Sequence, residues 1–346
     1  MKPFIIPVFI PNYGCPNKCI YCDQNISIGQ QSLPTSNDVA GIVDEHLKTA
    51  SFRSEPQRYT QVAFYGGTFT GLPFDTQEDY LKTIAPYLKN KKVQSIRLST
   101  RPDYINQQNL DLLKSFSVKT IELGVQSMDD EVLKLSQRGY TSQKVEESAR
   151  LIKENGFELG IQLMPGLPGD TENKIIKTSE QACKIKPDFL RIYPTVVIKN
   201  TLLEKLYLKG EYTPLSLKQA VSICKKMLLL FQYNHIPVIR MGLQPTETLL
   251  KPGRIVAGPF HSAFRELVLS SILYDRLFVS IKKNLKSETF TVFVHPSELS
   301  TFLGNKKENV EKLKEEFPGF DIRFRQDEGV PKNTFSVDNR ILPVIN

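Results

Sequence analysis

Short apolar runs alternate with longer amphipathic segments along the first two thirds of the chain. The runs of strand length, each leading into glycine or polar residues, lie at 61–65 and within 95–103, 120–127, 159–170 and 189–196. The segments between them carry apolar residues at helical spacing, at about 36–50, 75–89, 107–116, 129–155 and 171–185. Alternating strands and helices indicate parallel βα units, and six in succession predict a barrel or part of one. Polar residues at the carboxyl ends of such strands face the catalytic side.

The last third of the chain has a different pattern. One more strand is predicted within 235–246 and a long helix over 258–283, followed by a candidate linker from Lys282 to Ser287. The remainder predicts a strand, two short helices around "LGNKKENV", another strand and a final strand near Phe335. The expected fold is therefore α/β. A partial (β/α)6 TIM-type barrel spans 1–257, a connecting helix and linker 258–287, and a small α+β module 288–346.

Composition indicates a soluble globular protein. The chain has 346 residues and 40% apolar content, enough for a large core. No segment has the ~18 to 20 consecutive apolar residues that cross a bilayer. Pro3, Pro7 and Pro11 interrupt the first apolar run, which therefore makes a poor signal peptide. We expect a cytoplasmic protein with no membrane partner.

Three of the five cysteines form a cluster in "YGCPNKCIYCDQN": Cys15, Cys19 and Cys22. In a reducing compartment such a cluster is more typical of metal binding or redox chemistry than of disulfides. A structural zinc site would need a fourth Cys or His. An iron–sulfur cube held by three cysteines instead keeps one iron open for another ligand. The other two cysteines, Cys183 and Cys224, lie in apolar helical patterns and are expected to fill core.

Five motifs occur in an order that resembles the radical S-adenosylmethionine (SAM) superfamily. They are C-x3-C-x2-C with Tyr21 before the last cysteine, followed by "GGT", "TRPD", "IELGVQS" and "MPGLPG". The segment 191–215 resembles the branch that contains the catalytic subunit of Elongator, which modifies tRNA wobble uridine. The resemblance covers about residues 4–260.

The resemblance implies a set of cofactors and site residues. Cys15, Cys19 and Cys22 would bind a 4Fe-4S cluster, and the open iron would bind the amino and carboxylate groups of SAM. Tyr21 would lie at the cofactor, and Gly66, Gly67 and Thr68 would contact the SAM amino group. The residues expected near the SAM ribose and carboxylate are Ser99, Arg101, Glu122 and Gln126. The implied chemistry is reductive cleavage of SAM to a 5′-deoxyadenosyl radical, with an electron donor such as a flavodoxin or ferredoxin.

Several alternatives stay open. Gly66 and Gly67 could form only a turn, "MPGLPG" only a rigid loop, and Glu122 could only pair with Arg97 or Arg101. The Elongator-like pattern usually has Glu at the position of Ser99. The Elongator subunit also carries a long acetyltransferase domain after the barrel, whereas about 85 residues follow residue 260 here. We therefore do not expect its acetyl-CoA-dependent reaction to transfer simply.

The C-terminal module and the charge both favour an RNA partner. The order of its elements resembles the KH module, in which a GxxG loop between two helices clamps nucleic-acid backbone. The corresponding residues are Gly304, Asn305, Lys306 and Lys307, with Lys307 at the second glycine. Residues 181–260 contain 12 Lys and Arg against 4 Asp and Glu, an excess equal to the whole chain's net charge of +8. Such a basic region near the late barrel strands fits a polyanion such as tRNA or rRNA.

We therefore predict a radical SAM enzyme that modifies RNA. The first alternative is a radical SAM enzyme for a small molecule, because the porphyrin-processing branch has the same cysteine spacing. The second is a non-catalytic, metal-stabilised RNA-binding protein. For the C-terminal module, a small α/β cap that binds nothing is the alternative.

Overall fold

The structure, a computed structural model, describes residues 3–10, 13–16, 18–23, 32–51, 59–283, 289–337 and 340–343. The chain divides into two compact units. The first comprises Met1–Leu215 and Ile236–Phe260, and the second Ser216–His235 and His261–Asn346. The sequence-based domain limits of 1–257, 258–287 and 288–346 stay a prediction.

A seven-stranded parallel sheet forms the centre of the first unit. In chain order its strands are β1 (Phe4–Ile10), β2 (Thr60–Gly66), β3 (Ser95–Thr100), β4 (Val118–Gln126), β5 (Glu158–Leu163), β6 (Phe189–Ile192) and β8 (Val238–Met241). Each strand pairs in parallel with the next one of this series, and the sheet curls into a half-barrel. The predicted partial barrel is confirmed, and β8 is the additional strand expected within 235–246.

Helices cross from one strand to the next. In the first unit they are α1 (Ser36–Ser51), α2 (Phe74–Lys89), α3 (Gln107–Ser115), α4 (Asp130–Leu135), α5 (Ser142–Glu154), α6 (Glu172–Ile185) and α7 (Leu202–Leu208). Side chains that accept backbone N–H bonds fix several starts: Asn106 caps α3, Asp129 caps α4 and Thr171 caps α6. Because the strands are parallel, their carboxyl ends lie at one edge of the sheet, and the predicted site residues lie at or near these ends.

The single helix predicted over 129–155 is wrong, because the structure has two helices there. Helix α4 ends at Leu135, and the chain then turns through Gln137 and Gly139, which have φ values of 54° and 76°. Gln137, directly after the cap residue Ser136, supplies the left-handed conformation that commonly ends a helix. The turn leaves Arg138 and Tyr140 outside both helices, and both residues reach the candidate active site.

A two-stranded antiparallel sheet completes the first unit. Strand β7 (Val197–Ile198) pairs with β9 (Ile255–Ala257). Val197 packs with Leu203 and Tyr212 in a small apolar cluster that also includes Ile20 of the cysteine segment. The chain after β6 therefore covers part of the segment that carries the cysteines.

The second unit combines helices with a four-stranded sheet. Its elements are α8 (Leu217–Tyr233), α9 (Phe264–Lys283), β10 (Thr289–Val294), α10 (Leu299–Leu303), α11 (Glu308–Glu316), β11 (Asp321–Gln326), β12 (Thr334–Val337) and β13 (Arg340–Pro343). The strand order is β11-β10-β12-β13, with β10 and β11 parallel and the other pairs antiparallel. The predicted strand near Phe335 corresponds to β12. Most of the predicted linker lies outside the described residues.

No helix in the described ranges combines the length and the apolar character that a membrane span requires.

Candidate active site

The cysteine segment crosses directly over the glycine motif after β2. The Gly67 N–H donates to Ile10 O at 2.7 Å, and the Thr68 N–H donates to Tyr13 O at 3.0 Å. A Cβ on Gly67 would lie 2.2 Å from Tyr13 O, so no other residue fits this crossing without a shift. The Thr68 hydroxyl lies 3.2 Å from the Cys15 sulfur. The two motifs that the sequence analysis paired are therefore in contact.

Further glycines allow the same close approach. Gly14 has a φ of 72°, and a Cβ there would lie 2.1 Å from Thr68 O. A Cβ on Gly71 would lie 2.2 Å from Gly14 O. Gly66, the last residue of β2, has a φ of 103°, which also favours glycine. These glycines therefore have a structural role, because they let the backbone of the cysteine segment pack closely against the residues that follow β2.

Burial makes two of the three thiols hard to ionise. It raises the pKa of Cys15, and it raises the pKa of Cys22 to about 12, with further contributions from the negative charges of Cys19 and Cys15. The Cys22 N–H donates to Cys19 O at 3.0 Å, which closes a turn between the last two cysteines. Within the described ranges, no three Cys, His, Asp or Glu side chains are arranged as a finished metal site. Binding of a metal cluster must therefore displace protons from buried thiols.

Two arginines approach the Cys19 sulfur. Arg138 Nη1 lies 2.9 Å from Cys19 Sγ and also donates to the Tyr21 hydroxyl at 3.0 Å. Arg101 Nη1 lies 3.9 Å from the same sulfur. Arg101 follows β3, as the sequence analysis expected of a site residue, whereas Arg138 comes from the turn between α4 and α5. Cys19 is thus the most electropositive of the three positions.

The two guanidinium groups differ in how their charge is balanced. Arg101 forms a bidentate pair with Asp103, with N–O distances of 2.9 and 2.8 Å. Arg138 is 5% exposed, and its other donors reach the Tyr140 hydroxyl at 2.8 Å and Gly124 O at 2.6 Å. Among the described residues, no carboxylate contacts Arg138. An uncompensated buried cation costs several kcal/mol, so this site favours an anionic group at the Cys19 sulfur.

Two predicted cofactor residues present polar atoms that have no protein partner. Gln126 ends β4 in the left-handed region, with a φ of 68°, and its buried Oε1 has no hydrogen-bond partner among the described residues. The buried Ser99 hydroxyl on β3 likewise has no hydrogen-bond partner among the described residues. The absence of a side chain at Gly124 leaves room for both the Gln126 amide and the Arg138 guanidinium. Unpaired buried polar atoms at strand ends fit a polar ligand such as SAM, since leaving them unpaired is costly.

Glu122 belongs to a different network. Its carboxylate accepts hydrogen bonds from Arg97 Nη1 and Arg191 Nη2, both at 3.1 Å, and from Gln162 Nε2 and the Tyr65 hydroxyl, both at 3.2 Å. It also lies 2.8 Å from Arg191 Nε. Glu122 is completely buried in the middle of β4, four residues before Gln126. Its partners lie on β2, β3, β5 and β6, so Glu122 connects several strands of the sheet. Arg97 is one of the two pairing partners that the sequence analysis named as the alternative to a cofactor contact.

The loop Gly304–Lys307 joins α10 to α11 in the second unit. Asn305, Lys306 and Lys307 are exposed. Gly304 has φ 80° and ψ 170°, and a Cβ there would lie 3.0 Å from the Asn309 N atom. Lys306 and Lys307 are left-handed, with φ values of 50° and 64°. Lys307 thus adopts a conformation that favours glycine, at a typical cost of about 1–2 kcal/mol.

Sequence reasoning missed Arg138, Tyr140 and Gly14. Arg138 lay inside a segment interpreted as one helix, although Gly139 in that segment is a possible stop signal. Its contact with Cys19 spans 119 residues, and local periodicity carries no information about such a pair.

Comparisons with known proteins agree with this geometry. The family model described as "Radical SAM superfamily" matches residues 9–182, and that of the "Radical_SAM C-terminal domain" matches residues 187–273. The chain is 29% identical over 230 residues to tRNA uridine(34) acetyltransferase of Dehalococcoides mccartyi, covering 58% of this chain and 50% of that one. It is 27% identical over 267 residues to Elongator complex protein 3 of Bos taurus, covering 65% and 49%. The chain spans about half the length of these curated relatives.

One solved structure has the same fold over most of the chain. It is the archaeal Methanocaldococcus infernus Elp3 with an N-terminal deletion, which matches at a TM-score of 0.60 and 20% identity over 82% of this chain and 63% of that one. The family match covers the cysteine segment, the glycine motif and the turn that carries Arg138. The chain belongs to the radical SAM superfamily of enzymes.

Proposed function

We propose that this chain binds a 4Fe-4S cluster through Cys15, Cys19 and Cys22 and uses it with SAM to modify an RNA, most specifically a tRNA. The observation that carries the cofactor part is the buried Arg138, whose guanidinium meets the Cys19 sulfur and no carboxylate among the described residues. A cluster-bound thiolate supplies the missing negative charge. When bound, the cluster and SAM supply a 5′-deoxyadenosyl radical that abstracts hydrogen from the substrate.

The residues of the chain bind and orient the cofactors. Gly67 and Thr68 fix the start of the cysteine segment, and the Thr68 hydroxyl supports Cys15. Arg138 and Tyr21 form one hydrogen-bonded pair at Cys19, with Tyr140 behind them. Gln126 Oε1 and the Ser99 hydroxyl are available for the polar groups of SAM. The backbone of Gly66, with a φ of 103°, would contact the SAM amino group. Arg101, held by Asp103, places a second positive charge near the carboxylate of SAM.

The proposed tRNA substrate has three supports. The relatives named above are a tRNA uridine acetyltransferase and Elongator complex protein 3. Residues 181–260 carry an excess of positive charge. The Gly304–Lys307 loop presents two exposed lysines and left-handed backbone between two helices, a combination suited to phosphate contacts in a KH-like module.

An assay of SAM cleavage tests the proposal. Anaerobically reconstituted protein with dithionite and SAM should form 5′-deoxyadenosine slowly on its own, and faster with tRNA from cells that lack the protein. Mass spectrometry of nucleosides from those cells should reveal a missing modification. Failure to form 5′-deoxyadenosine would contradict the enzymatic proposal, whereas formation without any response to RNA would favour a small-molecule substrate.

A further inference from the structure

Helix α7 packs against the middle of the cysteine segment, and its two faces differ. Its inner face carries Leu203, which is fully buried, with Leu206 and Tyr207 packed in the same cluster. This cluster includes Ile20 and Tyr21, which lie between Cys19 and Cys22. The Leu203 N–H also donates to Ile20 O at 2.8 Å. The inner face of α7 is therefore bonded to the backbone of the cysteine segment itself.

The outer face of α7 carries Leu202, Lys205 and Leu208, and Lys209, the C-cap residue directly after the helix, continues this face. At 100° per residue these four positions span about one third of the helix circumference. Leu202 is 41% exposed and Leu208 is 71% exposed, and both lysines are also exposed. The acidic residue of the helix, Glu204, lies elsewhere, because its carboxylate accepts the Asn200 N–H at 2.8 Å. Two exposed leucines and two lysines thus form one small mixed patch.

The position of this patch suits electron transfer. An α-helix with its side chains is about 10–12 Å across, so a protein on the outer face comes within about that distance of the cysteine segment. A cluster bound there must receive one electron for each reductive cleavage of SAM. Weak redox encounters use small interfaces with charge complementarity and an apolar centre. A phosphate backbone would gain from the lysines but not from the exposed leucines.

We propose that the outer face of α7 is the docking site for an acidic one-electron carrier protein of the flavodoxin class. This inference rests on the proposed function, because it assumes a cluster at the three cysteines. In the transfer, the anionic flavin hydroquinone loses one electron and becomes the neutral semiquinone. The cluster gains that electron, and no proton is released.

The test uses the full chain and an acidic flavodoxin, with Lys205→Glu and Lys209→Glu combined in one variant. Binding is measured by isothermal titration with oxidised flavodoxin, which requires no turnover. We expect roughly tenfold weaker binding, lower salt dependence and a matching loss in the rate of cluster reduction by flavodoxin hydroquinone. Dithionite-driven formation of 5′-deoxyadenosine should be unchanged, since dithionite needs no docking site. A Leu208→Ser variant should also weaken binding, without altering its salt dependence.

A matched control carries the same charge change at the other end of the barrel. Lys92 and Lys114 are exposed and precede the amino ends of β3 and β4, so Lys92→Glu with Lys114→Glu should leave flavodoxin binding intact. Unchanged affinity in the α7 variant, or equal loss in both variants, would overturn the proposal. Loss of tRNA affinity with intact flavodoxin binding would also overturn it and assign the patch to RNA. Failure of the unaltered chain to cleave SAM with dithionite is a separate result, which contradicts the proposed function.

Discussion

In the proposed holoprotein, Arg138 would connect the fold to the cluster through a single sulfur, that of Cys19. Its guanidinium lies 2.9 Å from Cys19 Sγ and is buried with two tyrosine hydroxyls and a carbonyl as its other partners. Hydrogen bonds and positive charge at a cluster sulfur stabilise the more negative, reduced state. In the proposed holoprotein, the arginine would therefore position the cluster and balance its charge.

The variant Arg138→Met removes this charge with a similar side-chain length. We expect the midpoint potential of the cluster to fall by roughly 60 mV, about tenfold in a one-electron equilibrium. Spectroelectrochemical titration measures the shift. Arg150→Met is the control, because Arg150 is exposed on α5 and pairs with exposed Glu154 at 3.6 Å. Equal potentials in the Arg138 variant and the unaltered protein would show that Arg138 does not act on the cluster.

Glu122 has a structural role in the interior of the barrel. It is the anion between Arg97 and Arg191, and its side chain is 0% exposed. Glu122→Gln keeps the shape but leaves two buried guanidinium groups without a carboxylate between them. We expect the free energy of unfolding to fall by about 3 kcal/mol in urea titrations. Glu158→Gln, which breaks an exposed pair with Lys119 on neighbouring strands, should cost less than about 1 kcal/mol.

A SAM-binding measurement separates this role from a cofactor contact. If Glu122 were a SAM ligand, the variant would lose SAM affinity while keeping its stability, and that outcome would contradict the structural role.

Among the elements, the α10–loop–α11 unit carries the RNA contacts proposed for the C-terminal module. Buried Asn309 anchors it, because its side-chain amide donates to Phe302 O at 3.0 Å and to the Ser270 hydroxyl at 2.9 Å. The loop is therefore held in place while Lys306 and Lys307 remain exposed.

Reversing both loop charges tests this element. Lys306→Glu with Lys307→Glu should reduce affinity for single-stranded RNA and flatten its salt dependence by about one to two units, since each phosphate contact contributes roughly −0.7 to the slope. Filter binding over a range of salt measures both quantities. Substrate-free SAM cleavage should not change. Equal affinity and slope in the double variant would leave the module as a cap without RNA contacts.

The sequence predicted the barrel strands well because their apolar runs are buried. Strand β2, predicted over 61–65, spans 60–66, so that it ends at Gly66 and Gly67 follows directly. The local pattern of apolar residues did not predict features that depend on contacts between distant parts of the chain. The turn at Gln137 and Gly139 divides the helix predicted over 129–155, and it brings Arg138 to a cysteine 119 residues away. Arg191, 69 residues from Glu122, was likewise not identified as its partner.

At the level of the whole molecule, the basic region 181–260 is divided between the two compact units. Of the residues between 181 and 260, those of α8 belong to the second unit and carry Lys218, Lys225 and Lys226. The sequence analysis placed this charge near the late barrel strands, and part of it lies instead on α8 in the second unit. The excess arises partly from a helix that packs against α9, where Lys225 pairs with Asp275 at 2.8 Å. Local charge reversals are thus more informative about RNA contacts than net charge is.

Iron content after anaerobic reconstitution tests the central claim, a cluster on the three cysteines, most directly. The unaltered chain should bind about four iron and four sulfide per chain, and Cys19→Ala should lose most of both, because two thiolates do not retain the cube. Cys183→Ala is the matched control on α6 and should bind the same iron as the unaltered chain. A Cys19→Ala variant with full iron content, or an unaltered chain that binds one zinc and no iron, would contradict the account.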